Sequence, residues 1–466
     1  MKSYLFIFLL TLAAFQSKSQ EKEIASQLSK QLKASQMPSG LYYPASVKRF
    51  YTENNFQPAW IKPQTGMGKT WQAMLMLDCV LQFGLAHADY HPYELSYDSL
   101  HVMLEKPDQL SAEDKARFDI VLTDAMITLM NHLHYGKFNP DYVVDRVDQG
   151  NGIPFIAEQK LRAALLENDL LAAILDVQPK NKAYQDLQLY MHLVKGQYTG
   201  DCYEVPEADV RLAAINMERL RWADFGDTPY LHVNIPSYTL KLHEADSVYD
   251  FKIIVGKPEH PTPTLRSAIG YFTTAPDWKV PHELFVQDIL PKTMKRIGFL
   301  EDNHYAVYNK SGATVAINNT NLQKINRNPG EYSLRQSSGC DAALGAVVFR
   351  FPNDFDIYLH DSPDQKLFKQ EVRSVSHGCV GVENATSLAA LLLRYDGAAG
   401  KIPLMQKNAD SYLRSNFMLS KPLPIKVTYI TCSYKDGILK RYEDIYNLDD
   451  RLEHKLYNID QQLALK

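Results

Sequence analysis

The sequence predicts an α+β, multidomain protein: a mainly helical first half, then a mixed, strand-rich second half with helical insertions. Three observations carry this. At 466 residues the chain is longer than one ordinary core organises. In the first half apolar residues recur at helical spacing, as at Trp71, Met74, Leu75, Leu77, Cys79 and Leu81. After Arg221-Trp222 the text changes to short alternating runs broken by Gly and Pro. With 45% hydrophobic and 22% charged residues, the composition is that of a folded chain and not of a disordered one.

Residues 1–19 come first. Lys2 is followed by an apolar run over 4–15 and then by Ser17-Lys18-Ser19. That is the layout of a secretory signal peptide, and the run is short for a bilayer span. An uncleaved N-terminal anchor is the competing reading. No later apolar run is long enough to span a bilayer.

Residues 21–36 are polar and helix-prone, and 49–63 are aromatic and irregular, with Phe50, Tyr51, Phe56 and Trp60. Helices are predicted over 71–85, 112–135, 158–177 and 181–195, the second with Ser111 as N-cap and Glu113 in its first turn. Strands are predicted over 230–235, 238–242 and 249–255, ended by Gly256, Pro258, Pro261 and Pro263. A helix follows over 284–298, then a polar, Asn-rich stretch over 300–330. Strands at 346–351 and 357–360, a helix at 385–395 and a strand at 426–431 complete the series. The expected division is a helical domain at 20–210, a second domain at 211–450 with an insertion at about 285–335, and a helical tail at 451–466.

Charge and motifs exclude several function classes. A formal charge of -4, more negative once Lys2 and Lys18 are removed, offers no overall attraction to nucleic acid. There is no zinc-type Cys/His spacing, no P-loop and no dinucleotide fingerprint. The cysteines, Cys79, Cys202, Cys340, Cys379 and Cys432, are odd in number, so one thiol is free unless it pairs with another chain. Most read as buried thiols. Cys379 does not.

Cys379 lies in Ser374-Val-Ser-His-Gly-Cys-Val-Gly-Val-Glu-Asn384, directly before a helix. A neighbouring imidazolium or a helix N-terminus favours the reactive thiolate. Gly378 lets the backbone turn tightly and bring an N–H toward a reacting carbonyl. Upstream, Ile357-Tyr-Leu-His-Asp361 sets Tyr358 and His360 on one face of a strand, with His360 19 residues before Cys379. Cys and His brought together by a fold suffice for thiol acyl transfer.

This text resembles the L,D-transpeptidase catalytic domain, whose signature is a His upstream of a Ser/Thr-His-Gly-Cys turn. It is most similar to the large branch of that family, which adds an N-terminal scaffold and a capping subdomain. The supporting phrases stand in order: Asn216-Met-Glu-Arg-Leu-Arg-Trp222, Tyr230-Leu-His-Val-Asn-Ile-Pro236, Val255-Gly-Lys-Pro258, Pro276-Asp-Trp-Lys-Val-Pro281, Asp288-Ile-Leu-Pro291, Leu334-Arg-Gln336, Ala343-Leu-Gly345 and Tyr358-Leu-His-Asp-Ser-Pro363. The resemblance covers roughly 210–450, and Phe50-Tyr51 and Pro58-Ala-Trp60 fit the scaffold loosely. It implies a β-sandwich-like catalytic domain with helices, and a cap over 285–335 acting as a lid.

The resemblance also implies roles. Cys379 is the nucleophile, His360 the general base and His377 a supporting group. Gly378 and Cys379 supply oxyanion N–H groups, with the Tyr358 hydroxyl a weaker candidate. Arg373 and Ser376 brace the loop or meet a substrate carboxylate, and Trp278 stands at the rim. Donor and acceptor are tetrapeptide stems of peptidoglycan, joined in a 3-3 cross-link with release of D-alanine. No metal or organic cofactor is required. The place of work is the periplasm, alongside other cell-wall synthases, in cell-wall biogenesis and the maintenance of cell shape, and carbapenems should acylate Cys379. Resolution of the acyl-enzyme by water (an L,D-carboxypeptidase) or by a D-amino acid is the alternative, as is a non-catalytic wall-binding protein.

Three features depart from the family. Gly381 stands where an Arg is usual, leaving Arg373 or Arg350 to replace its charge. Cys340 replaces a Pro, which raises an inactivating disulfide with Cys379. Residues 181–209 are too short for a peptidoglycan-binding module.

Overall fold

The computed structural model describes residues 20–33, 37–61, 68–105, 109–194, 207–223, 225–226 and 229–457. The expected signal at 1–19, Cys202 and the end of the expected tail lie outside the described residues. Among the described residues no helix is long and apolar enough to cross a membrane.

The chain forms two compact units. The first comprises Met1–Phe225, Thr431–Tyr442 and Asn447–Lys466. It is built on the helix Ala112–His134, which is buried along nearly its whole length. Ser111 starts that helix, accepting from the Asp114 N–H while the Asp114 carboxylate accepts in return. Its two buried carboxylates pin the chain that packs on it. Asp119 accepts from the N–H groups of Ala59, Trp60 and Ile61 at 2.9, 2.9 and 3.2 Å. Asp124 accepts from those of Tyr42 and Tyr43, both at 2.9 Å. Burial of these polar groups is tolerated because every carboxylate oxygen accepts a hydrogen bond. The helix expected over 158–177 is two, Ala157–Ala164 and Leu170–Leu175, with Asp169 capping the second.

The division falls at Phe225/Gly226, not at 210/211, and the chain later returns to the first unit. The helix Ala208–Ala223 accounts for both differences. Its buried Asn216 accepts from the Thr431 N–H at 2.7 Å and donates to the Thr431 hydroxyl at 2.9 Å. Arg219 pairs with Asp449 at 2.5 Å, tying the helix Asp449–Tyr457 to the same unit.

The second unit comprises Gly226–Ile430 and Glu443–Tyr446. Its strands are β1 (Tyr230–Asn234), β2 (Thr239–His243), β3 (Val248–Gly256), β4 (Leu265–Thr274), β5 (Trp278–Lys279), β6 (Tyr305–Asn309), β7 (Tyr332–Gln336), β8 (Val347–Arg350), β9 (Leu359–His360), β10 (Ser374–Ser376), β11 (Val380–Val382) and β12 (Ser415–Thr428). The order β10-β3-β11-β9-β8-β4-β12-β1-β2, with β2 also paired to β3, closes eight strands on themselves and leaves β10 attached to the end of β3. Closure removes exposed edges, and the helix Ala385–Tyr395 presents buried Leu388, Leu391, Leu392 and Leu393.

The strand expected at 426–431 is the end of the long β12, which pairs antiparallel with β4 and carries a register shift between Met418 and Leu423. The insertion runs from Trp278 to Gln336. It has its own sheet, β5-β7-β6, and its own apolar core, including Phe285, Leu300, Val307, Ile325 and Leu334. The Asn-rich 300–330 stretch is therefore ordered. It holds β6 and the helix Asn319–Arg327, whose N-cap Asn318 accepts from the Asn321 N–H at 2.9 Å.

Candidate active site

The site is built where β9 and β11 run side by side. They are parallel, with Leu359 opposite Val380 and His360 opposite Gly381. Side chains alternate along a strand, so Cys379 and Gly381 share a face, as do Tyr358 and His360. Because Gly381 faces His360, all four belong to one face. The Val380 N–H donates to the Tyr358 carbonyl at 3.1 Å, which sets Cys379 beside Tyr358.

Tyr358 is the centre of this face. Its hydroxyl stands beside the Cys379 thiol, close enough to act on its charge. Its ring meets the His360 ring edge-on, with centroids 5.9 Å apart, and the Arg350 guanidinium lies 4.8 Å from its centroid. Trp278 approaches from the insertion. Its Nε1 is buried beside the Tyr358 hydroxyl but completes no hydrogen bond of good geometry. Burial, and the Cys379 sulfur beside it, raise the Tyr358 pKa.

His360 is oriented by its own chain. Nδ1 lies 2.6 Å from the Asp361 carbonyl, and a carbonyl only accepts, so Nδ1 carries the proton and Nε2 the lone pair. Burial pulls the His360 pKa down to about 4. Asp361 is held in turn: its carboxylate accepts from the Ala346 N–H at 2.9 Å, against Gly345.

Burial pushes the Cys379 thiol up; the Tyr358 N–H, the Tyr358 hydroxyl and the Arg350 charge pull against it. At neutral pH the site is thus a neutral thiol with a neutral imidazole, suited to proton removal during attack and not to a standing ion pair.

The loop before Cys379 is closed by hydrogen bonds. Ser376 Oγ accepts from the Gly378 N–H at 3.2 Å and donates to the Cys379 carbonyl at 2.6 Å. Ser376 therefore braces the loop, with its hydroxyl spent on backbone and not on substrate. The Gly378 N–H, expected as an oxyanion donor, is already spent, which leaves that of Cys379. Gly378 itself has a φ of +108°, open to glycine at little cost.

Other assignments change. Arg373 does not offer its guanidinium to a substrate. Nε donates to the Ile253 carbonyl at 3.0 Å, Nη1 to Gln370 at 2.8 Å and Nη2 to Tyr238 at 3.1 Å. It is a brace, and Arg350 is the arginine whose charge reaches Cys379. His377 is exposed and lies against His260, with ring centroids 5.2 Å apart, not against Tyr358. Burial first, then Lys257 and His260, lower its pKa. Cys340 is an exposed free thiol and Cys379 is also unpaired. Among the described residues no cluster of three or more His, Cys, Asp or Glu could hold a metal.

Sequence reasoning missed Thr262 and Tyr446. The Thr262 hydroxyl accepts from the Gly256 N–H and donates to the Gly378 carbonyl, both at 2.8 Å. Tyr446 Oη accepts from the Thr262 N–H at 3.1 Å and donates to the Gly256 carbonyl at 2.6 Å. The one available signal was a Thr enclosed by Pro261 and Pro263.

Comparison with known proteins matches two stretches of the chain to family models. Residues 45–191 match the model of a scaffold domain, and residues 228–402 that of an L,D-transpeptidase catalytic domain. A Haemophilus influenzae protein, provisionally named an L,D-transpeptidase, is 31% identical over 253 residues, 53% of this chain and 50% of that protein. The chain thus spans about half the length of this curated relative. The crystal structure of Mycobacterium tuberculosis L,D-transpeptidase 1 aligns over 44% of this chain and 62% of that one, at 15% identity and a TM-score of 0.16. That likeness is too weak to carry an argument.

Proposed function

Residues 228–402 belong to the L,D-transpeptidase catalytic-domain family, and from that premise we propose that the protein forms 3-3 cross-links in peptidoglycan through an acyl-enzyme on Cys379. The observation that carries this is the shared face of Cys379, Tyr358 and His360, with His360 held as a base by the Asp361 carbonyl.

The steps balance on these groups. His360 Nε2 takes the thiol proton as the sulfur attacks the carbonyl of a donor stem. The C–N bond to the terminal D-alanine breaks, and the departing amine takes the proton from His360, leaving a thioester. An acceptor amine then attacks the thioester and gives a proton to His360. The C–S bond breaks, an amide forms, and His360 returns the proton to the thiolate. The N–H of Cys379 is the oxyanion donor in both halves. On this reading the protein works in the periplasm, on two stem peptides and alongside other cell-wall synthases, and Cys379 should be acylated by carbapenems.

Incubation of the purified protein with disaccharide-tetrapeptide, beside Cys379→Ala, tests this by mass spectrometry. A dimer short of one D-alanine, absent with the variant, supports the proposal. Tripeptide alone would make the protein an L,D-carboxypeptidase, and exchange of the terminal residue would make it a D-amino-acid exchanger. No product from either protein would point to a wall-binding role.

A further inference from the structure

We infer that Thr262 is a positioning residue whose hydroxyl, by holding the Gly378 carbonyl, aims the Cys379 N–H at the carbonyl under attack. The inference rests on the acyl-transfer reading of Cys379 and adds to it the group that sets the oxyanion donor.

A peptide unit is planar and trans, so its C=O and N–H point in opposite directions. The Gly378 carbonyl and the Cys379 N–H belong to one such unit. A grip on the carbonyl from one side fixes the direction of the N–H on the other. Thr262 Oγ1 makes that grip at 2.8 Å. Its donor role is settled, because Oγ1 also lies 2.8 Å from the Gly256 N–H, which can only donate. The hydroxyl proton is therefore committed to the Gly378 carbonyl.

The neighbouring groups make this grip decisive. Gly378 has no Cβ to restrict its backbone, so the peptide that follows it has a wide range of orientations open to it unless something holds it. Ser376 already occupies the Gly378 N–H and the Cys379 carbonyl. Of the four backbone polar groups of Gly378 and Cys379, the Cys379 N–H is the one to which the described residues give no partner. Thr262 cannot drift. It is 2% exposed, and Tyr446 holds both its N–H and the Gly256 carbonyl. Tyr446 stacks on Tyr429, with centroids 5.5 Å apart. The order of dependence is Tyr446, Thr262, Gly378, Cys379.

Two small probes separate orientation of the donor from plain support of the loop. p-Nitrophenyl acetate acetylates a thiol through an oxyanion: the S–C bond forms and p-nitrophenolate leaves. Iodoacetamide alkylates the same sulfur with loss of iodide and no oxyanion. In Thr262→Val, acetylation of Cys379 should slow by about tenfold or more, while alkylation stays within about twofold. Thr262→Ser should restore acetylation. If Thr262→Val does not fold, Thr262→Ala removes the same hydroxyl and takes its place.

An equal slowing of both reactions would overturn the inference, since it would mean that the thiol itself had moved. Unchanged acetylation would overturn it as well. A wild-type Cys379 that reacts with neither probe is a different failure: it overturns the acyl-transfer reading, and the inference with it.

Discussion

The Tyr358 hydroxyl stands beside the Cys379 thiol on the neighbouring strand, and it is one of three groups that oppose the effect of burial on that thiol. The others are the Tyr358 N–H and the charge of Arg350, whose guanidinium lies on the Tyr358 ring. Tyr358→Phe keeps the ring, and with it the contacts to Arg350 and His360, but removes the hydroxyl. The Cys379 pKa should then rise further. At pH 8 the variant should react with iodoacetamide about threefold more slowly or less readily still. An unchanged pH–rate curve would show that the hydroxyl does not act on sulfur.

If the proposed reaction holds, His360 should set the acid side of the pH profile. Its pKa is lowered to about 4, so the base is neutral far below the 6.5 of an ordinary histidine. The acylation rate should hold down to about pH 5 and fall as pH approaches 4. An acid limb centred near 6.5, measured on kcat/KM, would contradict this. The same shift bears on stability. Between pH 6.5 and about 4 the unfolded chain binds a proton that folded His360 does not. Tm should therefore fall as pH drops through that window, and His232, lowered to about 3, acts in the same direction.

Arg373 separates bracing from recognition. All three of its guanidinium nitrogens donate to backbone carbonyls of the second unit. Arg373→Met strands those carbonyls and should lower stability by about 2 kcal/mol. KM for the donor stem should change little. A large rise in KM with unchanged Tm would return Arg373 to the substrate.

The limits of the sequence are visible in particular residues. The helix Ala112–His134 was legible because Ser111 caps it and its apolar residues follow helical spacing over many turns. β4 and most of β12 were not. Gly270 interrupts β4, and Pro422 and Pro424 lie in β12 near its register shift, so neither reads as a strand. In the insertion, Leu322 and Ile325 are the only buried residues of an otherwise polar helix, too few for a periodic signal. At the site, Cys379, His360 and Tyr358 follow from a local motif and the two-residue period of a strand. The partners of Arg373 at Tyr238 and Ile253, and the grip of Thr262 on Gly378, join residues more than 100 positions apart. No local pattern records such pairs, so the sequence leaves bracing and substrate contact both open for Arg373 and gives no role to Thr262.

Two glycines near His360 should respond to alanine in opposite ways. Gly345 has a φ of +58°, and a Cβ there would lie 2.5–2.7 Å from the Asp361 carboxylate. Gly345→Ala must both strain the backbone and push Asp361 away from the Ala346 N–H. A cost of about 1–3 kcal/mol follows. Because the Asp361 carbonyl orients His360, acylation should slow with it. Gly381 has no such φ, and its Cβ would meet Ile254 at 3.4 Å, an ordinary contact. Gly381→Ala should leave Tm unchanged or raise it slightly, since alanine narrows the unfolded ensemble. Thermal unfolding of the two variants side by side checks the pair. A loss at Gly381 equal to that at Gly345 would mean that β11 has no room beside Ile254, and that glycine at 381 is required by packing.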